Sequence, residues 1–315
     1  MKSMLKTLPK PYTQTKVTEG VLATLAFFNL YKLPISSQRV WELLYRVQAT
    51  KNEVEKELQR LAHSKIVVHK SGLYALEDWE ESKYLAGQME IDKRMSKIKK
   101  YFWVLSAIPF VEHISVINSV AMGNADSESD IDFFVITKAN RLYFVRSVVI
   151  TVFKLLGVYK NRKITNERFC FGFYITSDRL SIRELLLPQE DPYLTFWLGT
   201  ILPITGERIY EKFIKENRWV FSWLPNFRTS LRMDVIKELK ASRFLKRVLG
   251  ILGYFPALIF EPVLRYVHIR HTFNLPENHW RTSSTIANKQ MLKLHALDPR
   301  KDLRQSFWDT LKQYK

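Results

Sequence analysis

The spacing of apolar residues in the first part of the chain predicts two helices. Apolar side chains recur at three- or four-residue intervals over residues 17–31, which is the periodicity of one buried helix face. Pro34 ends this helix, because proline lacks the backbone N–H that a helix interior needs. Ser36 or Ser37 can then cap a second helix that we expect to reach Tyr45.

A third helix and a β-hairpin are predicted next. Thr50 and Glu53 have the spacing of a capping box, so the helix is expected to cover residues 50–65. The sequence that follows, IVVHKSGLYAL, has a Ser-Gly turn between two strand-like runs. Three helices and a hairpin are the order of a winged-helix-like domain, in which the third helix would be the one that reads DNA.

The charges of the third helix leave its role open. Acidic and basic residues are mixed along it: Glu53, Glu55 and Glu57 stand among Lys51, Lys56 and Arg60. An acidic face repels the phosphates on which DNA affinity depends, and domains of this kind also serve as packing or protein-contact modules. DNA reading and protein contact therefore stay as alternatives.

The middle of the chain changes to alternating strand and helix patterns. A long charged helix over residues 77–106 is expected to link it to the first domain. The predicted elements that follow are strands at 111–116 and 131–137, a helix at 141–158 and a strand at 168–176. This order predicts the α/β (α+β) class with a small mixed sheet. From Asp191 onward the pattern is mostly helical.

We therefore expect four segments. They are a winged-helix-like domain at 1–80, a linker helix at 81–108, the sheet domain at 109–190 and a helical C-terminal region at 191–315. Residues 248–264 are strongly apolar, but Pro256, Glu261 and Pro262 interrupt them, and they fall short of the ~20 residues of a spanning helix. We expect two buried helical pieces there and no transmembrane segment, with an interfacial membrane contact as the alternative.

The charge of the chain points to polyanionic partners. The formal net charge is +18, which favours nucleic acid, nucleotide phosphates or an anionic membrane surface without choosing between them. The densest block spans residues 133–166, which contain no acid and seven basic residues: Lys138, Arg141, Arg146, Lys154, Lys160, Arg162 and Lys163. The lone Cys170 and the lack of an apolar run of signal-peptide length at the start predict a cytoplasmic protein.

An acidic stretch, INSVAMGNADSESDID at residues 117–132, stands between two of the predicted strands. Asp130 and Asp132 flank Ile131 at the start of a strand, and residues two apart in a strand point to the same face. Two adjacent carboxylates repel each other unless a cation compensates them, and Mg²⁺ prefers carboxylate and phosphate oxygens. A solvated acidic turn is the alternative interpretation.

The residues before this pair carry a resemblance. Asn118 and Ser119 are followed by ten residues, then Asp130-Ile131-Asp132 and the apolar run FFVI. This spacing resembles the DNA polymerase β-like nucleotidyltransferase superfamily. The order of segments along the chain is similar to that in a group of bacterial nucleotidyltransferase-domain proteins, which extends the resemblance over most of the chain. The segments are AMGNA, SDIDFFVIT, a basic helix, FC-x-x-x-YIT and LHALDPR.

The resemblance implies a reaction and roles for particular residues. Asp130 and Asp132 would hold Mg²⁺ (or Mn²⁺), and Asn118, Ser119 and Gly123 would form the turn at the phosphates of an NTP. Lys138 and Arg141 could add phosphate contacts. A nucleoside monophosphate would pass to a hydroxyl of an unidentified acceptor, which could be a nucleic acid, a protein or a small molecule. The oligomeric state stays open.

Two departures from the family pattern leave a second function open. Asn118 stands at the signature glycine, although asparagine tolerates left-handed backbone geometry better than other non-glycine residues. The strand RFCFGFYIT lacks the third carboxylate of active members; Glu167 and Asp178 are the nearest acids, and Cys170 fits a buried structural thiol. A catalytically inactive nucleotide-sensing or nucleic-acid-binding regulatory protein is therefore the alternative.

Overall fold

The computed structural model describes residues 17–161, 164–229, 243–275, 284–294 and 297–314. Arg162, Lys163 and His295 of the motifs above lie outside this described part. The helices are α1 (Val17–Asn29), α2 (Ser37–Glu42), α3 (Lys51–His63), α4 (Glu81–Ala107), α5 (Asn118–Met122), α6 (Leu142–Leu155), α7 (Pro192–Thr200), α8 (Glu207–Glu216), α9 (Arg243–Leu252), α10 (Tyr254–Phe273) and α11 (Arg300–Lys312). The strands are β1 (Ile35–Ser36), β2 (Val68–Lys70), β3 (Leu73–Ala75), β4 (Val111–Ile117), β5 (Ile131–Thr137), β6 (Phe169–Thr176), β7 (Leu202–Thr205), β8 (Ile286–Ala287) and β9 (Met291–Lys293).

The first segment contains the three predicted helices and the predicted hairpin. Its antiparallel sheet has the order β1-β3-β2, and the two-residue strand β1 was not expected. The capping box of α3 is confirmed, because the Glu53 backbone N–H donates to Thr50 Oγ1 at 3.3 Å while Thr50 N–H donates to Glu53 Oε2 at 2.7 Å. Helix α2 ends at Glu42 rather than at Tyr45.

The central sheet confirms the mixed α/β class. Its order is β7-β4-β5-β6-β9-β8, and among the described strands β5 and β6 form the parallel pair, with α6 as their crossover helix. Strands β4, β5 and β6 match the predicted strands to within one residue. The three outer strands β7, β8 and β9 come from the region expected to be helical, and their two to four residues are too few to show a strand period.

Two apolar layers cover the sheet, and one of them joins distant parts of the chain. Helices α4 and α6 pack on one face, whereas the N-terminal helices, α7, α8 and α11 pack on the other. On this second side the ring of Phe27 stacks on that of Phe196 at 4.1 Å, and Tyr45 stacks on the same ring at 5.5 Å. A single core therefore extends across the expected boundaries at residues 80 and 190.

The apolar stretch 248–264 departs from its prediction. It does form two helical pieces, but the break lies at Gly253 rather than at a proline, since Pro256 is tolerated in the first turn of α10. The expected burial is wrong, because Phe255 is 68% and Ile259 is 64% exposed. Among the described residues no single helix is long and apolar enough to cross a membrane; α9 and α10, bent by 64°, reach that length and composition only together.

A glycine contact between β4 and β7 gives the fold a testable weak point. Gly206 has φ +73°, and a Cβ added there would lie 1.9 Å from the carbonyl oxygen of Glu112. Gly157 has a similar φ of +67° but no atom within 4 Å of an added Cβ. We expect Gly157→Ala to cost about 1 kcal/mol through its backbone angle alone, and Gly206→Ala to cost about 3 kcal/mol or more.

Chemical denaturation of the two variants measures this difference. Equal losses of unfolding free energy in Gly206→Ala and Gly157→Ala would show that β4 moves aside without cost, contrary to the expected close approach.

Candidate functional site

Asp130 and Asp132 lie together at the edge of the central sheet where β5 begins. Ile131 between them is fully buried in the layer beneath α6, so the two carboxylates share the opposite face. Asp132 pairs with Cys170 across the parallel strands β5 and β6. A carboxylate oxygen of each aspartate and the Cys170 sulfur all lie within 4.8 Å of one another. The structure therefore brings together three side chains of types that can bind a metal: two carboxylates and a thiol.

Mutual repulsion and burial dominate the electrostatics of this cluster. Burial, followed by the charge of Asp130, raises the pKa of Asp132 to about 6, although a hydrogen bond from Asn118 opposes the shift. Burial and the two carboxylates raise the pKa of the Cys170 thiol well above its usual range, so the thiol keeps its proton. The Lys160 ammonium compensates part of the negative charge, since its Nζ lies 2.5 Å from Asp130 Oδ2.

Asn118 connects the carboxylate pair to the helical side of the molecule. Its φ is +57°, the left-handed geometry that we expected from a residue in the glycine position of the motif. Its amide nitrogen donates to Asp132 Oδ2 at 2.8 Å, while its amide oxygen accepts from Trp197 Nε1 at 3.0 Å. Trp197 on α7 thus fixes which end of the amide faces the carboxylate.

Ser119 and Gly123, the other residues of the predicted phosphate turn, lie near opposite ends of α5. Ser119 stays next to Asn118 in α5, and its carbonyl accepts from the N–H groups of Gly123 and Asn124 at 2.9 and 3.0 Å. Gly123 ends α5 with φ +98° and lines a separate cleft of about 850 Å³. Ser119 therefore follows directly on the residue that contacts Asp132, whereas Gly123 faces the α4 side.

Lys138 and Arg141 do not join the cluster. Both follow the far end of β5, and the six residue steps along the strand from Asp132 to Lys138 span roughly 20 Å. The Arg141 guanidinium lies over the rings of Phe110 and Tyr254, 5.5 and 5.8 Å from their centroids. The sequence placed them near the aspartates only because they follow closely along the chain.

The two acids considered for a third carboxylate also lie elsewhere. Glu167 forms an ion pair with Lys93 at 2.5 Å, and Asp178 accepts a hydrogen bond from Gln290 at 3.0 Å. Cys170 is the β6 residue that faces Asp132 instead. The alternation Phe169-Cys170-Phe171 already carried this signal, because two buried aromatics on one face place the residue between them on the other.

A buried arginine on α4 holds the acidic loop in front of the pair. Arg94 is 0% exposed, and its guanidinium donates to the backbone carbonyls of Asp126 and Ser129, each with a shortest distance of 2.6 Å. Asp126 in turn accepts from the Ser129 hydroxyl at 2.7 Å. Hydrogen bonds thus hold the backbone of this loop, while the side chains of Asp126 and Glu128 are exposed to solvent.

A cavity of about 320 Å³ opens beside Asn118. Phe173 and Trp197 contribute apolar walls, and the charged lining consists of Lys293 together with Arg300 and its ion-pair partner Asp298. Burial lowers the pKa of Lys293 to about 8. Sequence reasoning did not group these residues into one site because they come from β6, α7, β9 and the start of α11, and only the fold brings them to the motif.

Comparisons of the chain with protein-family models, with curated proteins and with solved structures found no match.

The donor set of the cluster suits a hard divalent cation. Two adjacent carboxylates offer the oxygen ligands that Mg²⁺ and Mn²⁺ prefer, and a cation would relieve the repulsion that raises the pKa of Asp132. A protonated thiol is a poor ligand for such ions, so Asp130 and Asp132 are the residues of the cluster with suitable ligand atoms.

The raised pKa of Asp132 predicts a pH-dependent penalty on folding. Its ionised form is disfavoured in the native state, so its contribution is fully favourable below about pH 4 and is lost as pH rises through 6. We expect Asp132→Asn, without divalent cations, to be about 1–2 kcal/mol more stable than the wild type at pH 8, after discounting for partial exposure and Lys160. At pH 4 we expect the two proteins to be equally stable.

Denaturant unfolding at both pH values tests this, with Asp126→Asn as the matched control. A hydrogen bond from Ser129 lowers the pKa of Asp126, so that variant should lose stability at pH 8 instead of gaining it. A wild type as stable as Asp132→Asn at pH 8 would mean that Lys160 neutralises the pair completely.

Proposed function

We propose that the protein is a nucleotidyltransferase that uses Mg²⁺ or Mn²⁺ to move a nucleoside monophosphate from an NTP to a hydroxyl acceptor. The observation that carries the proposal is the adjacent pair Asp130 and Asp132 at the start of a central strand, with Asn118 hydrogen-bonded to Asp132 from the preceding turn. This arrangement agrees with the nucleotidyltransferase-like motif of the sequence. The finer fold names, a nucleotidyltransferase domain preceded by a winged-helix-like domain, belong to the same proposal.

The residues of the cluster have separate tasks in this reaction. When bound, the cation neutralises charge on the nucleotide phosphates and on the leaving pyrophosphate. Asp130 and Asp132 would hold it, and Asn118 fixes the orientation of Asp132. Ser119, half-buried and next to Asn118, would offer its hydroxyl to phosphate oxygens. Lys160 neutralises part of the charge of Asp130 through their ion pair.

The transfer exchanges one phosphorus–oxygen bond for another. The acceptor oxygen bonds to the α-phosphorus while the bond from that phosphorus to the bridging oxygen breaks, and pyrophosphate leaves. The hydroxyl proton passes to water, since among the described residues no third carboxylate lies beside the pair. The cavity beside Asn118 has a volume suited to the organic part of one substrate.

Cys170 favours a second candidate function. It occupies the neighbouring-strand position facing Asp132, where a third acid would assist the attacking hydroxyl. A protonated thiol cannot take that role, so an inactive nucleotide-sensing regulator is the alternative. Recognition of DNA by α3 gains little support, because two basic side chains of this helix form ion pairs with its own acids. Arg60 pairs with Glu57 at 2.6 Å, and Lys51 pairs with Glu55 at 3.8 Å.

Label transfer from an α-labelled NTP tests the enzyme proposal. With Mg²⁺ or Mn²⁺ and a cell extract as the source of acceptor, we expect labelled product from the wild type. Asp130→Ala and Asp132→Ala should each lower transfer by about a hundredfold or more, because each removes a metal ligand. Glu128→Ala, an exposed change in the same loop, is the control that should retain activity. Transfer that persists in both aspartate variants would refute the site.

Replacing Cys170 separates the two candidate functions. Cys170→Asp supplies a carboxylate at the third position, and we expect it to raise the rate of transfer by about tenfold, whereas the size-matched Cys170→Ser should not. A wild type that binds NTP without transferring label, combined with transfer by Cys170→Asp, would assign the natural protein to the nucleotide-sensing class. Binding of the labelled NTP is measured in parallel by filter retention.

A further inference from the structure

The bent pair α9–α10 presents a large apolar surface that the described part of the protein leaves uncovered. Six of its side chains are between 57% and 69% exposed, and we call them the outer face: Ile251, Leu252, Phe255, Ile259, Val263 and Tyr266. Four of them recur along α10 at three- or four-residue intervals, so they form one stripe. Contiguous exposed apolar surface of this kind marks an interaction site in a folded protein.

The opposite side of α10 is firmly attached to the sheet domain. Ala257 is fully buried and Glu261 is 5% exposed. The Glu261 carboxylate accepts hydrogen bonds from the backbone N–H groups of Tyr143 and Phe144 at 3.1 and 2.7 Å, at the first residues of α6. Farther along α10, His268 contacts the Ser147 hydroxyl at 2.9 Å. Because α10 keeps these contacts, it offers its outer face without leaving the domain.

The exposed charged side chains of α9 and α10 have one sign. Residues 243–275 contain five basic residues, namely Arg243, Lys246, Arg247, Arg265 and Arg270, and a single acid. That acid is Glu261, which is buried against α6. Arg247 and Arg270 are exposed, on α9 and near the end of α10. Within the described α9 and α10 the exposed arginines therefore accompany the apolar stripe with positive charge, while Glu112 of β4 acts on the largely buried Lys246.

We propose that the outer face of α9–α10 binds the surface of an anionic lipid bilayer. Apolar side chains on one face of a helix enter the boundary between headgroups and acyl chains, and each nearby arginine or lysine gains attraction from anionic headgroups. A second copy of this chain is a worse occupant, because face-to-face contact would bring the same positive charges together. The attachment of α10 to α6 makes the helix lie along the membrane plane rather than cross it.

Co-sedimentation of the full chain with phospholipid vesicles tests this proposal. We expect binding to vesicles of phosphatidylcholine mixed with phosphatidylglycerol, and much weaker binding to phosphatidylcholine alone. Phe255→Ser combined with Ile259→Ser should weaken binding by about tenfold or more through the loss of apolar contact. Arg247→Gln combined with Arg270→Gln should weaken binding to the anionic vesicles by about tenfold. Added salt should weaken the wild type in the same way.

Met89→Ser is the matched control, since Met89 is 72% exposed on α4, outside this surface. It should bind as the wild type does. Circular dichroism should show that every variant keeps its fold, because only exposed side chains change. Failure to bind either vesicle overturns the proposal, and so does equal binding to both compositions. A wild-type dimer in lipid-free solution that Phe255→Ser with Ile259→Ser converts to a monomer would assign the outer face to a second copy instead.

Discussion

The geometry of the candidate site depends on one buried cation, the Arg94 guanidinium of α4. It donates to backbone carbonyls of the loop that leads into β5, and the neighbouring Lys97 donates to the carbonyl of Glu167, just before β6, at 2.6 Å. Loop carbonyls buried without a partner would cost free energy, so these donors stabilise one loop conformation. The two strand ends that carry the aspartates and Cys170 are thereby held from the same helix.

The sequence predicted the inner part of the fold well, because local patterns determine it. The capping box at Thr50 and the apolar run of β5 each identify an element from a few adjacent residues. The flanking strands β7, β8 and β9 escaped prediction, since strands of two to four residues are defined by their partners in the sheet rather than by a period of their own.

For the candidate site as well, the sequence predicted the local geometry but not the contacts made across the fold. Because side chains two residues apart in a strand point to the same face, the sequence was enough to place Asp130 and Asp132 together. The left-handed geometry of Asn118 follows from its place in the motif. Contacts made across the fold were beyond sequence reasoning, as with the Lys160 ion pair and the Trp197 hydrogen bond. The exposure of Phe255 was also missed, because an apolar pattern does not tell core from interaction surface.

Helix α7 places two successive side chains in two different environments. The ring of Phe196 stacks on Phe27 of α1, while the next residue, Trp197, holds the amide of Asn118. Because close-packed side chains leave little room for independent movement, a substitution that displaces Phe196 is expected to disturb its neighbour Trp197 as well. Helix α7 is therefore a shared support: the packing of the N-terminal segment and the orientation of Asn118 rest on adjacent residues of one short helix.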